Sequence, residues 1–314
     1  MTRDISIRGN RYLVEPANAY SGAYTRVGSV LVSARSPYQV LEILETPQFG
    51  RVLRLDGYMM TTEKDEFHYH ESLVHVPAIA HAAPEHVLII GGGDGGVAKE
   101  VLKYRSVARV DLVEIDLMVV KLSRTYLPTV HAHAYSNPRL KLHIADGRGW
   151  LQSTAASFDL IVLDLTDPIG AAHALYTTEF YAECRAHLKP GGLLALHAES
   201  PFTRPGTFNR IVKTVQSAFP CVRPYLVFVP SYGTVLSMVT ASLHVDPARL
   251  PAEEVDDRFR ARGIHDLRWM NGETHAASFA LPTCVQTLLS QPAQLVEDRG
   301  PRLDESDELQ SRDA

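Results

Sequence analysis

Hydrophobic residues recur along this chain in two rhythms. Over residues 27–60 they form short runs, Val27 to Val32, Tyr38 to Glu45 and Arg51 to Leu55, separated by Ser36-Pro37, by Pro47 with Gly50, and by Asp56-Gly57. Runs of this length bounded by turn residues read as strands, and Asp-Gly between two of them is a hairpin signal, so a small antiparallel unit is predicted. From about residue 63 the spacing becomes helical, with Phe67, Leu73, Val74 and Ile79 recurring toward Pro84. From residue 86 to about 200, apolar runs alternate with helical stretches: His86–Ile90, Arg109–Glu114, Leu140–Ile144, Phe158–Asp164 and Leu193–His197, the last preceded by the turn Lys189-Pro190-Gly191-Gly192. Nearly continuous apolar runs suit strands buried on both faces, which predicts an α/β fold with a parallel, doubly wound, Rossmann-like sheet. Tyr225–Val229 and Val235–Ala241, flanking Pro230-Ser231-Tyr232-Gly233, read as one more strand pair, and Leu267–Leu289 holds the last apolar content. The predicted organisation is a β-rich N-terminal domain with a linking helix over 1–78, a catalytic domain over 79–290, and a tail over 291–314.

Composition changes this picture only at its edges. The tail carries seven acidic residues against three arginines and almost no large apolar side chain, so it is expected to be disordered. A chain of 314 residues, 45% hydrophobic, can bury one full α/β core and a smaller unit. With 36 acidic against 31 basic residues it shows no footprint for a phosphate backbone, so nucleic acid is not expected as a partner. Cys184, Cys221 and Cys284 are odd in number and far apart, which predicts reduced thiols rather than a disulfide framework or a zinc site. No apolar run approaches the ~18 residues of a membrane span and the N-terminus has no signal-like core, so a soluble, cytoplasmic protein is expected.

The candidate chemistry begins where the strand His86–Ile90 runs into Gly91-Gly92-Gly93-Asp94-Gly95-Gly96. Gly91, Gly93 and Gly96 have the spacing that turns a strand tightly into a helix and lets a ligand approach backbone N–H groups. The next strand ends in Glu114, placed to accept hydrogen bonds from ribose hydroxyls. Asp94 departs from a dinucleotide fingerprint, because a carboxylate in the loop repels a pyrophosphate. It equally repels the carboxylate of S-adenosylmethionine and favours a donor whose tail is a bare ammonium.

Asp146-Gly147 follows one strand, and Asp164-Leu165-Thr166-Asp167-Pro168 follows the next. Ligands of open α/β sheets sit outside the carboxyl ends of the strands, so Asp94, Glu114, Asp146, Asp164 and Asp167 are expected to converge on one cleft. Each lies on a separate loop, without the dense spacing of a calcium site, which favours an organic polycation over a metal. A protonated alkylamine has no lone pair with which to attack a sulfonium-bound methylene. One carboxylate must therefore take its proton, and Asp164 is the expected base, with Asp167 anchoring the second ammonium of the acceptor.

Tyr38-Gln39, Leu55-Asp56-Gly57, the block from Thr62 to Glu71, Gly91 to Gly96, Glu114-Ile115-Asp116, Asp146-Gly147, Asp164 to Gly170, Pro230-Ser231-Tyr232, and Asn271 through Phe279-Ala280-Leu281-Pro282 together resemble the spermidine synthase family over residues 27–290. The resemblance implies an N-terminal β domain used in oligomerisation, so a homo-oligomer, dimer or tetramer, is expected. It also implies transfer of an aminopropyl group from decarboxylated S-adenosylmethionine, a co-substrate, with no cofactor and no metal. Putrescine is the leading acceptor, ahead of cadaverine, agmatine and spermidine; a methyltransferase and a polyamine-binding protein without turnover are the rival readings. Gln39, Gly91, Gly93, Asp94, Glu114, Asp146 and Gly147 would contact the donor. Asp164 would be the base, helped by Tyr69, while His70, Asp94, Asp167 and Tyr232 would face the acceptor.

Three positions depart from the family pattern. Ala171-Ala172 follows Gly170 where Gly-Pro is usual, His197 stands where many members carry Gln, and residues 1–36 lack a pocket-shaping tryptophan. All three bear on the acceptor. His68, His75, His81 and His86 are read as ordinary core and surface histidines.

Overall fold

The computed structural model describes residues 4–18, 20–168 and 170–303. Three short strands, β1 (Asp4–Ile7), β2 (Asn10–Pro16) and β3 (Gly22–Arg26), form an antiparallel meander. A second antiparallel sheet follows, β4 (Ser29–Arg35), β5 (Val40–Thr46), β6 (Gly50–Leu55) and β7 (Tyr58–Thr62), paired in chain order. Asp56 and Gly57 both take positive φ between β6 and β7, as the turn read from their sequence requires. The meander carries no sequence prediction of its own, because Ile5, Ile7 and Tyr24 point outward and blur the alternation that marks a half-buried strand.

Helix α1 (Glu66–Ala80) leads into the main sheet, whose elements in chain order are β8 (His86–Gly91), α2 (Gly96–Val101), β9 (Arg109–Glu114), α3 (Leu117–Tyr126), α4 (Pro128–His131), β10 (Leu140–Ile144), α5 (Gly147–Ser153), β11 (Phe158–Asp164), α6 (Thr178–Ala186), β12 (Leu188–His197), α7 (Pro205–Ala218), β13 (Cys221–Val229) and β14 (Thr234–Ser242). The spatial order is β10-β9-β8-β11-β12-β14-β13, in which β14 alone runs antiparallel to its neighbours β12 and β13. This is the doubly wound, Rossmann-like sheet read from the apolar runs. The strand order reverses between β8 and β11, which run parallel with Gly91 opposite Asp164. Ligands of such sheets bind at that switch point.

Helix α1 does not belong to the N-terminal unit by packing. Leu73, Val74, Val76 and Ile79 sit in one core with Val87, Ile89, Leu160 and Leu193 of the main sheet. The boundary therefore falls near residue 65 rather than 78. Helices α8 (Ala252–Ala261), α9 (Gly272–Ser278) and α10 (Thr283–Ser290) close the chain's regular structure. The expectation of disorder from residue 291 is corrected over 291–303: Val296 and Leu303 are fully buried beside α7 residues Ile211 and Val215, and the Val296 carbonyl accepts from the Thr178 amide at 2.8 Å. Two apolar side chains and captured carbonyls order a segment that its composition marks as soluble coil. Residues 304–314, Ile169 of the quoted loop motif and the Ala171 side chain lie outside what is described.

Among the described residues no helix is long and apolar enough to cross a membrane. Cys184, Cys221 and Cys284 are all free.

Candidate active site

A cavity of about 570 Å³ opens at the switch point. Every sequence-predicted site residue lines it: Gln39 at the edge of β5, Tyr69 and His70 on α1, Gly91, Gly93 and Asp94 after β8, Glu114 ending β9, Asp146 and Gly147 starting α5, Asp164 and Asp167 after β11, and Tyr232 between β13 and β14.

The glycine loop is shaped by backbone crowding. Gly91 takes φ +80°, and a Cβ there would lie 2.1 Å from the Asp164 carbonyl oxygen, so only glycine lets β8 pass β11 and turn. The Gly92 amide then donates to that same carbonyl at 2.9 Å. Glu114 spans the loop and its own strand end: one carboxylate oxygen accepts from Gly93 N at 3.1 Å, the other from Asp116 N at 2.8 Å. Burial pushes the Glu114 carboxyl up to about 7, against those two amides. Gln39 is held by its side-chain amide, which donates to Asp116 at 2.9 Å, while Ser36 donates to the same carboxylate at 2.6 Å. Asp146 caps α5, accepting from Gly149 N at 2.9 Å.

At the centre, one ligand atom each from His70, Asp94 and Asp164 lies within 4.8 Å of the others. Burial, then the neighbouring Asp94 charge, push Asp164 up to about 7. Asp94 goes the other way: burial works to raise it, but the adjacent His70 and the Gly96 amide, which donates at 2.8 Å, hold it below the ordinary carboxylate range. Tyr69 faces Asp164 with its phenol, which burial and that carboxylate keep protonated. A base near neutrality beside a carboxylate that stays ionised is an arrangement for accepting a proton from an amine while holding a cation. His70, Asp94 and Asp164 are also the side chains that could ligate a metal. His70, however, faces a carboxylate from each ring nitrogen, Glu66 at 2.6 Å and Asp94 at 3.5 Å, which favours an imidazolium without a lone pair for an ion.

Away from this centre, Asp167 faces Glu15 of β2 and His197 at the end of β12. His197 Nε2 lies 3.0 Å from the Leu165 carbonyl and 2.9 Å from the Tyr176 hydroxyl, and burial holds its pKa down. The Tyr232 hydroxyl donates to the Met60 carbonyl at 2.5 Å, tying β7 to the cavity wall.

Sequence reasoning missed Glu15 and Glu199, which line the same cavity. Burial pushes Glu15 up to about 7 even though it accepts from Met59 N at 3.1 Å. It comes from a strand with no local signal. Glu199 is buried at φ 62°, an unusual conformation for a carboxylate residue, and only the backbone reveals it. Two further acids of the Thr62–Glu71 block turn out to be ties. Asp65 accepts from the Ser231 amide at 2.7 Å, and Glu71 accepts from the amides of Arg268, Trp269 and Met270 at 2.8, 2.8 and 2.9 Å.

Residues 66–246 match the family model of the spermine/spermidine synthase domain, and residues 13–63 that of the spermidine synthase tetramerisation domain. A polyamine aminopropyltransferase of Nitrosomonas europaea is 48% identical over 294 residues, covering 94% of this chain and 90% of the relative. That of Thermoanaerobacter pseudethanolicus is 42% identical over 267 residues, covering 85% and 94%. Among solved structures, a spermidine synthase in complex with the transition-state analogue AdoDATO superposes with a TM-score of 0.84 at 37% identity, over 92% of this chain and 98% of that one. Spermidine synthase from Thermotoga maritima gives 0.81 at 36%, over 92% and 97%. Sequence and fold agree over nearly the whole length, and the chain belongs to the spermine/spermidine synthase family of transferases.

Proposed function

We propose that this enzyme transfers the aminopropyl group of decarboxylated S-adenosylmethionine to putrescine, giving spermidine and methylthioadenosine. The observation that carries the reading is the pairing of Asp164, near neutral pKa, with an ionised Asp94 at the switch point. Glu114 would take the ribose hydroxyls and Gln39, Asp146 and Gly147 the rest of the nucleoside. Asp94 would hold the ammonium of the aminopropyl tail. Asp164, with Tyr69 at its side, would remove a proton from the acceptor amine as the nitrogen lone pair attacks the methylene and the sulfonium leaves as a neutral thioether. Asp167 and Tyr232 would line the acceptor's path, with His70 behind it. The step needs no metal and no cofactor beyond the donor.

The acids Asp167, Glu15 and Glu199 extend the negative lining well past Asp164, so an acceptor longer than putrescine has groups to meet its far ammonium. The deciding experiment gives purified enzyme decarboxylated S-adenosylmethionine and an equimolar mixture of putrescine, cadaverine, agmatine and spermidine, with products separated by mass. Spermidine as the main product supports the proposal; another aminopropylated amine moves the specificity, and no product from any amine rejects it.

The same reading includes an oligomer. Ile5, Ile7, Tyr24, Val30, Leu31 and Tyr38 are exposed on the N-terminal strands and their connections, an apolar set suited to a self-association surface. Light scattering on the eluting protein tests it, and a monomer at micromolar concentration would reject it.

A further inference from the structure

Behind the catalytic centre lies a buried ion pair that makes no contact with the cavity. Glu66 accepts from Lys99 Nζ at 2.6 Å through one oxygen and meets His70 Nδ1 at 2.6 Å through the other. His70 Nε2 in turn lies 3.5 Å from Asp94. Glu66 is 6% exposed and His70 2%. A carboxylate bound to an ammonium through one oxygen is ionised and can only accept through the other, so Nδ1 carries a proton. The opposite edge of the ring also faces a carboxylate, so a second proton on Nε2 is favoured.

We propose that Glu66, fixed by Lys99, is a positioning residue that keeps His70 an imidazolium, and that this buried positive charge is what lets Asp164 ionise beside Asp94 at neutral pH. Without it, Asp94 and Asp164 would be two carboxylates sharing one low-dielectric site, where one of them stays protonated. The groups facing His70 are Glu66 and the neutral Tyr69 phenol from α1, Asp94 from the loop after β8, and Asp164 from β11. Lys99 of α2 reaches it through Glu66 and also touches Glu100 at 3.3 Å. Burial works to lower the imidazole pKa, but Asp94 and then Glu66 outweigh it and hold it well above the ordinary range. For Asp164, the Asp94 charge raises the pKa and the His70 charge lowers it. Loss of the imidazolium therefore moves Asp164 upward.

The inference rests on Asp164 as the proton acceptor, and its test has one arm that does not. In wild-type enzyme labelled with ¹⁵N-histidine, with the His70 resonances assigned by their loss in His70→Gln, the ring nitrogens should report a doubly protonated imidazole at pH 8. A neutral His70 at that pH overturns the proposal whatever the reaction. In the second arm, Glu66→Gln should move the acid limb of kcat/KM up by about one pH unit, a ~5-fold loss at pH 7 that shrinks to within ~2-fold at pH 9. Placed in His70→Gln, it should add no further shift. A loss equal at every pH, or a shift that persists without His70, overturns the assignment. An acid limb that survives in Asp164→Asn while His70 is doubly protonated would instead reject Asp164 as the base.

Discussion

The imidazole of His70 lies against the Cα of Gly96: a Cβ at that glycine would come within 2.1 Å of His70 Cε1 and 2.3 Å of Nδ1. The last glycine of the loop is thus required by a side chain from another element. Gly96→Ala should displace the ring, break its alignment with Asp94 and lower kcat/KM by ~10-fold or more, with an overpacking cost of ~1–3 kcal/mol in stability. Kinetics with both substrates and a thermal melt check this, and an alanine variant of wild-type activity would show that the ring can move without consequence.

Asp164→Asn keeps the shape of the side chain and removes the proposed proton acceptor. Turnover should fall by ~100-fold or more, with donor affinity within ~3-fold of wild type. Rapid-quench measurement of the chemical step, beside calorimetric binding of methylthioadenosine, separates the two effects.

The pH profile follows from the direction of the same shift. Asp164 is raised from the usual carboxylate range to about 7, so its basic form is lost as pH falls through 7. The free-enzyme profile, kcat/KM against pH, should bend downward on its acid side near pH 7 with unit slope, well above the ordinary carboxylate range. A profile flat down to pH 5 would contradict the assignment.

Glu114 is likewise raised to about 7, by burial, and accepts from Gly93 and Asp116 amides. Glu114→Ala leaves those two amides without their acceptor and removes the expected ribose partner. Donor KM should rise at least ~10-fold with little change in acceptor KM, each lost hydrogen bond being worth ~1–3 kcal/mol. Initial rates with each substrate varied in turn would show the split, and a rise confined to acceptor KM would place Glu114 on the other side of the pocket.

Truncation after Ser290 removes Val296 and Leu303 from the core and takes Asp298 from Arg148 and from Thr177, which pair with it at 2.7 Å each. Losing two buried aliphatic side chains costs ~2–5 kcal/mol apiece when cavities are left. The truncated chain should melt markedly lower than the full one by calorimetry, whereas removal of residues 304–314 alone should leave all of these contacts in place.

Much of this protein is determined by its sequence alone, because the physics involved is local. Continuous apolar runs such as Phe158–Asp164 can be satisfied only by strands covered on both faces, and Gly91 is required by the turn at its own strand end. The topological rule that ligands lie beyond the carboxyl ends of parallel strands then brings Asp94, Glu114, Asp146 and Asp164 to one crevice without any knowledge of contacts. The Glu66–His70 pair was within reach too, since residues four apart on a helix face one another.

Tertiary structure decided what depends on neighbours distant in the chain. Glu15 reaches the cavity only because the β1–β3 meander folds over it, and Lys99 meets Glu66 across 33 positions of sequence. The opposite protonation tendencies of Asp94 and Asp164 arise from burial and from His70 between two carboxylates, none of which a residue carries in its own identity. Residues 291–303 are polar by composition yet ordered, because the groove beside α7 offers Val296 and Leu303 a place to leave water. Desolvation and charge pairing are properties of the assembled site, and they are what push the carboxyls of Asp94 and Asp164 in opposite directions.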